Sequence, residues 1–259
     1  MRLDSRRGRL EGKAVIIGCL VLLCYLAAFQ AYGDSSIRVL NLVPDSSLEV
    51  WIDGRIVDDE LNYLESSEYL SKQPGDHRVV AKPTGVDNPE VLNARYPLRD
   101  EMEYTVMVTR GESSKGLDCS FLIDDCPLSE SLAQVKFTDS LIGSPPLDVS
   151  IKYGPKLYEN FSYLTSGSCV SVPPAQYTLV FTKTSTGEKV FTEEVSLEGG
   201  YRYNLFLTGN LSQGSTQLHS LKAENKPEEE PKVFGVERSV LQLFGAGIIT
   251  SLLILILAQ

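Results

Sequence analysis

The feature that most constrains this chain is an internal repeat with an offset close to 100 residues. The segment 61–66 (LNYLES) returns as 161–166 (FSYLTS), and 48–52 (LEVWI) returns as 147–151 (LDVSI). Later in each copy, 104–109 (YTVMVT) matches 203–208 (YNLFLT). Apolar positions coincide along both copies, so each copy specifies the same inward-facing side. The chain therefore carries one structural unit twice.

Each copy has the side-chain period of a β-sheet. Its apolar segments are short, rich in β-branched and aromatic residues, and bounded by Gly, Pro, Asp or Ser, which is typical of strands. Turn pairs such as Asp53-Gly54 and Pro74-Gly75 recur at short intervals, as in sandwiches of antiparallel strands. We therefore predict an all-β fold of two tandem immunoglobulin-like antiparallel β-sandwich domains, at 34–126 and 127–221.

Length and composition agree with two ordinary folded modules. The chain has 259 residues, of which 22% are charged and 42% are hydrophobic. Segments too polar to bury a core have a different balance, so the repeats are expected to fold. After the terminal segments are set aside, each repeat has a length typical of a small domain.

The charge of the chain excludes one class of partner. The formal net charge is -10, although residues 1–13 hold five cations and two anions. Without that basic segment the remainder has 19 cations and 32 anions. A surface of that sign repels phosphate backbones, so we expect no nucleic-acid partner.

The N-terminal segment 1–33 is predicted to direct export. Its basic start precedes an apolar run at 14–29, and the small residues Ala31 and Gly33 stand just before Asp34, as at signal cleavage sites. We expect cleavage after Gly33. An uncleaved signal anchor is the alternative, because the apolar run is intermediate in length between a signal peptide and a membrane span. Either outcome places the repeats outside the cytoplasm.

The C-terminal segment 239–259 is predicted to be a transmembrane anchor. Residues 240–258 form an uncharged run of 19 residues, long enough as a helix to cross the hydrocarbon layer. A removable signal for a glycolipid anchor is the alternative. The preceding segment 222–238 contains Pro227, Pro231 and three consecutive glutamates, so it is predicted to be an extended acidic stalk.

The first repeat resembles a known family. Residues 38–45 (RVLNLVPD), 48–54 (LEVWIDG) and 69–71 (YLS), followed by Pro74-Gly75, resemble the extracellular domain of unknown function 4397. The second copy is similar at 147–149 and 172–179, but 140–146 (SLIGSPP) replaces the family's Ser-Pro-Asp element and Ala175 replaces a glycine. The resemblance covers 37–221. It implies tandem β-sandwich modules on exported envelope proteins, and it transfers no catalytic or binding residue.

No pattern of catalytic or metal-binding residues is found in the sequence. The two histidines, His77 and His219, stand apart from cysteines and carboxylates at ligand spacing. Nucleophile elbows, phosphate loops, zinc spacings and calcium loops are all missing from the sequence. We therefore expect no catalytic residues, no cofactor and no metal, and we predict that the chain is not an enzyme.

The cysteines predict one disulfide outside the apolar N-terminal run. Cys119 and Cys126 flank six residues at the end of the first repeat and are predicted to close a small loop, since exported proteins form disulfides. Two free thiols are the alternative. Cys169 is left over, either as a buried free thiol or as an alternative partner.

Three further residues are candidate surface sites. Trp51 is predicted to face outward if Val50 and Ile52 face the core, and an exposed aromatic ring can contact a sugar. Packing against the neighbouring module is the alternative for Trp51. Asn160 and Asn210 begin Asn-X-Ser triplets and are candidate acceptors for N-linked glycans.

Together these features favour a protein of the cell surface. We expect an exported protein, held in the membrane by its C-terminal helix, whose tandem modules have a structural or adhesive role in the envelope. Its expected partners are the membrane and other envelope proteins or glycans. The alternative is a receptor or accessory protein for a soluble ligand such as a glycan.

Overall fold

A computed structural model describes residues 34–86, 91–111, 116–127, 129–224, 232–233 and 236–237. The predicted signal segment, the predicted anchor and most of the predicted stalk lie outside these residues. Within them, no helix has the length and apolar character needed to cross a membrane.

Each repeat folds into eight strands. The first module contains β1 (Ser35–Leu42), β2 (Leu48–Ile52), β3 (Arg55–Leu61), β4 (Leu70–Lys72), β5 (Gly75–Pro83), β6 (Leu92–Leu98), β7 (Glu103–Arg110) and β8 (Leu117–Ile123). The second contains β9 (Ala133–Asp139), β10 (Leu147–Ile151), β11 (Lys156–Phe161), β12 (Val170–Val172), β13 (Ala175–Lys183), β14 (Lys189–Leu197), β15 (Tyr201–Thr208) and β16 (Gln217–Glu224), with a 3₁₀ turn at Leu211–Gln213. A short pair, β17 (Lys232–Val233) and β18 (Val236–Glu237), follows.

The strands of each module form two four-stranded sheets in the same order. In the first module the inner sheet is β4-β1-β7-β8 and the outer sheet is β3-β2-β5-β6. In the second module the inner sheet is β12-β9-β15-β16 and the outer sheet is β11-β10-β13-β14. The all-β prediction and the tandem sandwiches are thus confirmed.

The predicted immunoglobulin-like, fully antiparallel arrangement is wrong. β1 pairs in parallel with β7, and β9 pairs in parallel with β15. In immunoglobulin domains the first and second strands are neighbours in one sheet, whereas here β2 lies in the sheet opposite β1. The connection at 43–47 crosses between the sheets, so both edges of β1 are free to pair, one with β4 and one with β7.

Each module has its own core between its two sheets. Aliphatic residues such as Val39, Val50 and Val79 predominate in the first core. The second core contains more aromatic residues, among them Phe137 and Phe181, next to its aliphatic ones. These side chains alternate with outward-facing ones, as the period of two requires.

A third apolar cluster lies between the modules, because the two inner sheets pack face to face. Leu40, Leu42, Met107, Leu122 and Phe206 are fully or almost fully buried there. The central strands are consequently buried on both faces, and β9 is buried at all seven positions. On β7, four of the five residues at 104–108 (YTVMV) are apolar, so apolar side chains lie on both faces of the strand. The molecule is therefore a stack of four sheets.

The start of β1 and the end of β16 lie on the same side of the molecule. Ser36 at the start of β1 pairs with Glu103, and Glu224 at the end of β16 pairs with Tyr201. The Arg202 guanidinium lies 2.9 Å from the Glu103 carboxylate and joins these two places. We call this side the proximal end. β16 continues to Glu224, so the first three residues of the predicted stalk belong to the last strand.

Candidate functional site

The disulfide lies at the module junction and differs from the predicted one. Cys126 is bonded to Cys169, with 5.4 Å between their Cα atoms, and Cys119 is free. The predicted Cys119–Cys126 bond is therefore wrong. The direction of β8 explains the difference. On this strand Cys119 packs toward the first core, where its Sγ accepts a hydrogen bond from the Tyr96 hydroxyl at 2.8 Å. Burial raises the pKa of this thiol.

The same position in each repeat holds the connector between the modules. Tyr69, the counterpart of Cys169, donates a hydrogen bond from its hydroxyl to Asp124 Oδ2 at 2.7 Å. The Thr105 hydroxyl donates to the same oxygen at 2.6 Å, and Asn204 Nδ2 donates to Asp124 Oδ1 at 2.5 Å. Asp124 thus joins both inner sheets. Burial raises the pKa of Tyr69, and the adjacent Asp124 carboxylate adds to this shift.

Further polar contacts cross the junction. Lys136 is 8% exposed, and its ammonium group donates to the Ile123 carbonyl at 2.6 Å and to Asp125 Oδ1 at 2.7 Å. At the opposite end, Gln217 Nε2 donates to the Tyr63 hydroxyl at 2.7 Å. Buried charges are tolerated only when they are paired in this way. The junction is therefore held at both ends as well as through its apolar centre.

A small cavity remains at the proximal side of the junction. Its lining includes Arg38, Glu103, Asp124 and Arg202, and the Nε atom of Arg202 is buried without a hydrogen-bond partner among the described residues. The space suits a water molecule rather than an organic ligand. We therefore interpret this cavity as a structural feature of the junction and not as a ligand-binding site.

Trp51 lies on the outward face of β2, as the sequence predicted. Val50 and Ile52 on either side of it are fully buried, and the Trp51 side chain is half-buried. The Lys82 ammonium lies 4.5 Å from the centre of the indole ring and 2.6 Å from Glu49 Oε2. Packing against the second module, the alternative for Trp51, is not seen, because the outer sheet is the one farther from the junction.

Trp51 is the middle of an apolar row across three strands. Ile56 on β3 and Val80 on β5 are its cross-strand partners. Ile56 is 60% exposed, which is unusual for so large an apolar side chain on a sheet. The row gives the outer sheet of the first module an apolar strip that is exposed at Ile56 and half-buried at Trp51 and Val80.

Two arginines stand next to this strip. Arg78 on β5 and Arg95 on β6 are directly opposite each other, and both are exposed. Arg78 Nε donates to Asn93 Oδ1 at 2.8 Å, whereas neither guanidinium has an acidic partner in the described part of the chain. We call the set of Trp51, Ile56, Val80, Arg78, Asn93 and Arg95 the Trp51 face.

The two candidate glycosylation sites lie on the second module. Asn160 is exposed near the end of β11 and has φ 53°, in the left-handed region. Asn210 caps the 3₁₀ turn, since its Oδ1 accepts from the Ser212 amide at 3.0 Å and from the Ser212 hydroxyl at 2.7 Å. The Asn-X-Ser pattern at 210–212 thus has a local structural reason, and modification at both positions stays a prediction.

The histidines lie in separate modules. His77 Nδ1 is 2.9 Å from Asp53 Oδ2, a carboxylate neighbour that sequence spacing did not reveal because the pairing of β2 with β5 brings it close. Burial opposes ionisation of Asp53, but hydrogen bonds from Lys72, His77 and the Arg78 amide lower its pKa below the usual range. His219 is half-buried, and burial lowers its pKa. Among the described residues, no group of three potential metal ligands comes together.

The family model of the domain of unknown function (DUF4397) matches residues 35–150 and again 133–236. The chain belongs to this family. The first match covers β1–β8 and continues into β9 and β10, the second runs from β9 to the start of β18, and the two overlap at 133–150. The chain therefore contains the family's domain twice.

Several solved structures show remote likeness. A candidate cell adhesion protein from Bacteroides uniformis is 11% identical, with a TM-score of 0.26, covering 75% of this chain and 100% of that one. CBMbc (family CBM26) from Eubacterium rectale Amy13K, in complex with maltoheptaose, is 12% identical, with a TM-score of 0.25 and coverage of 75% and 98%. Such low scores support no argument about function. No match was found among the curated proteins.

Proposed function

We propose that this protein is an exported, membrane-anchored component of the cell surface whose two modules act as one rigid structural or adhesive element. The junction carries this proposal. The inner sheets bury each other's faces around Met107 and Phe206, and the Cys126–Cys169 bond locks the connector to the second module. Modules joined in this way move as one rigid body rather than independently of each other.

The disulfide also supports export. Such bonds form and persist in oxidising compartments outside the cytoplasm. The predicted signal segment at 1–33 supplies the route, and the predicted anchor at 239–259 supplies the attachment. Because β1 starts and β16 ends at the proximal end, both terminal segments leave toward the same membrane. The loop at 209–216 and Tyr63, which contacts Gln217, then lie on the side away from it.

We further propose that the role is not enzymatic. Among the carboxyl groups of the described residues, Asp139 alone has a raised pKa. Its pKa is about 6, chiefly because burial disfavours the charged form. Its exposed fraction is 0%, so no substrate reaches it. Catalytic acids and bases with shifted pKa values need an open cleft.

Surface display is tested on intact cells that produce the full chain. We expect a membrane-impermeant amine reagent to label exposed lysines such as Lys189 and externally added protease to remove the modules. Alkaline carbonate washing should leave the protein with the membranes. Recovery of unlabelled protein in the soluble cell fraction would contradict the proposal.

The rigid junction is tested by electron-resonance distance measurements on the full chain. Spin labels on the two outer sheets, at Asp58→Cys and Lys189→Cys in a background with Cys19, Cys24 and Cys119 replaced by Ser, should give one narrow distance distribution. A broad distribution in the oxidised protein would show independent modules. A sample labelled at only one site provides the background signal.

A second candidate function is a receptor for a soluble glycan. The observation that favours it is the outward-facing row of Trp51, Ile56 and Val80 on the first module. Aromatic side chains at the surface provide flat apolar area for the carbon faces of sugar rings. This function is compatible with surface display but does not depend on the rigid junction.

A further inference from the structure

We propose that the Trp51 face binds an acidic glycan, that is, an oligosaccharide with carboxylate or sulfate groups. The inference rests on the receptor function proposed above and names its class of ligand. It combines two adjoining features of one sheet face, an apolar strip and a pair of arginines that have no acidic partner among the described residues.

The arginine pair is costly unless an anion joins it. Like charges directly opposite each other on neighbouring strands are destabilising, and Arg78 stands directly opposite Arg95. Asn93 accepts a hydrogen bond from Arg78 Nε, which orients that guanidinium without neutralising it. The planar fork of arginine matches carboxylate and sulfate oxygens in paired hydrogen bonds. The pair therefore fits one acidic group of a ligand.

The apolar strip lies at the right spacing for the rest of such a ligand. Val80 pairs with Trp51 on one side and with Asn93 on the other, and Arg78 is two positions from Val80 on the same face. Diagonal positions of this kind are about 7–8 Å apart. A disaccharide can therefore place one ring against Trp51, beside the Lys82 ammonium that lies over part of the indole, and an acidic substituent at the arginines.

The overall acidity of the chain does not prevent this contact. At physiological ionic strength, charges more than about 8 Å apart are largely screened, so nearby groups decide the potential. Glu49, the carboxylate nearest to Trp51 along β2, is already paired with Lys82. Asp76, exposed two residues before Arg78, is the opposing charge on this face.

The second module supplies an internal contrast at the matching positions. Ser150 replaces Trp51 and pairs with Lys156 and Val180. Thr178 stands opposite Glu194 where the first module has two arginines. The second module thus lacks both the aromatic ring and the anion-binding pair, so the proposed site belongs to the first module alone.

The test is a titration of the purified full chain, in detergent micelles, with four probes. They are a sulfated heparin-derived tetrasaccharide, a carboxylated oligogalacturonide, neutral maltoheptaose and polyglutamate. We expect saturable binding of one or both acidic sugars, weakened when the salt concentration is raised to about 0.5 M. The preferred sugar shows whether sulfate or carboxylate is the group recognised.

Single substitutions to the residue of the second module locate the site. We expect Arg95→Glu and Trp51→Ser each to weaken binding of the acidic sugar by about tenfold or more. Lys189→Glu makes the same charge change as Arg95→Glu on an exposed lysine of the other outer sheet. It should change the affinity less than about twofold. Thermal unfolding checks that each variant is folded.

Three results would overturn the proposal. They are no binding of either acidic sugar, equal weakening by Lys189→Glu and Arg95→Glu, and polyglutamate binding as tight as sugar binding, which would indicate an acidic protein partner. None of these results changes the outcome of the labelling or distance experiments. Failure of the glycan site is therefore distinguishable from failure of surface display.

Discussion

The two modules share one strand order but fill their cores at different places. In the first module Phe121 on β8 stacks between Tyr96 and Tyr104, with ring centres 4.5 and 4.7 Å apart. In the second module Phe181 packs 5.4 Å from Phe137 on the other side of the core. The strand register shows which positions correspond. Ala81 of the first module corresponds to Phe181 of the second, and Ser220 of the second module corresponds to Phe121 of the first.

The comparison shows what the two repeats have in common. The alternation of inward and outward positions is the same in both repeats, while large and small residues have exchanged sites. Cores tolerate such exchanges when the total volume and the patterning are kept. The pattern therefore specifies the sandwich, and the individual aromatic residues make each core specific.

The largest effect on stability is expected when Phe181 in the second core is replaced by alanine, the residue at the corresponding position of the first core. Phe181 is 0% exposed, and Phe181→Ala should lower the free energy of unfolding by about 3–5 kcal/mol because it leaves a cavity among aromatic rings. Urea denaturation measures this loss. Tyr153→Ala, at a side chain that is 98% exposed, is the control. Equal stability of the two variants would show that the second core does not depend on Phe181.

The next effect concerns how each repeat holds the connector. Replacing both Cys126 and Cys169 by Ser should cost about 2–4 kcal/mol, because the bond closes a loop with a sequence separation of 43. Cys119→Ser should cost less than about 1 kcal/mol, since its hydroxyl can still accept from Tyr96. Urea denaturation compares the two variants. Thiol titration of unfolded, unreduced protein that showed Cys169 to be free would contradict the assigned pairing.

A smaller effect distinguishes the modules by pH. Asn41 and Asp139 occupy the same place, and each accepts a hydrogen bond from the amide two residues ahead. Asn41 Nδ2 also donates to the Ser46 and Leu61 carbonyls, which an ionised carboxyl cannot do. Burial raises the pKa of Asp139 from 3.8 to about 6, so its stabilising effect is complete below pH 4 and is lost as the pH rises through 6.

Asp139→Asn should therefore raise the free energy of unfolding at pH 7 by about 2–3 kcal/mol and remove the decline between pH 4 and 6. Asn41→Asp should introduce a similar decline in the first module. Urea denaturation across this pH range measures both variants. An unchanged pH profile for Asp139→Asn would show that another group causes the decline.

The smallest effect is expected at the first hairpin of each outer sheet. Asp53 accepts hydrogen bonds from Lys72 and from the Arg78 amide, whereas Tyr153 extends into solvent. Asp53→Ala should cost about 1 kcal/mol at neutral pH, and Tyr153→Ala less than about 0.5 kcal/mol. The Asp53 contribution is present above pH 4 and lost in acid, because its folded-state pKa is lowered. Thermal unfolding at pH 7 and pH 3 checks the difference.

Several features were readable from the sequence because they depend on local pattern. The repeat, the all-β class and the outward direction of Trp51 follow from alternation and offset. The family resemblance was confirmed over both copies.

Other features depend on residues distant in the chain. The parallel pairing of β1 with β7 joins positions 67 residues apart, such as Ile37 and Tyr104. The Cys126–Cys169 bond and the Arg78–Arg95 pair need the strand register before either can be recognised. Sequence proximity favoured Cys119 as the partner of Cys126, and the direction of β8 ruled it out.

The sequence by itself determined that this chain builds one β-sandwich twice, since the alternation of apolar and polar residues fixes which side of each strand is buried. Only the tertiary structure decided how the two sandwiches join and which polar groups meet. Those contacts are set by sheet order and by the packing of Met107 and Phe206 across the junction, where residues far apart in the chain become neighbours.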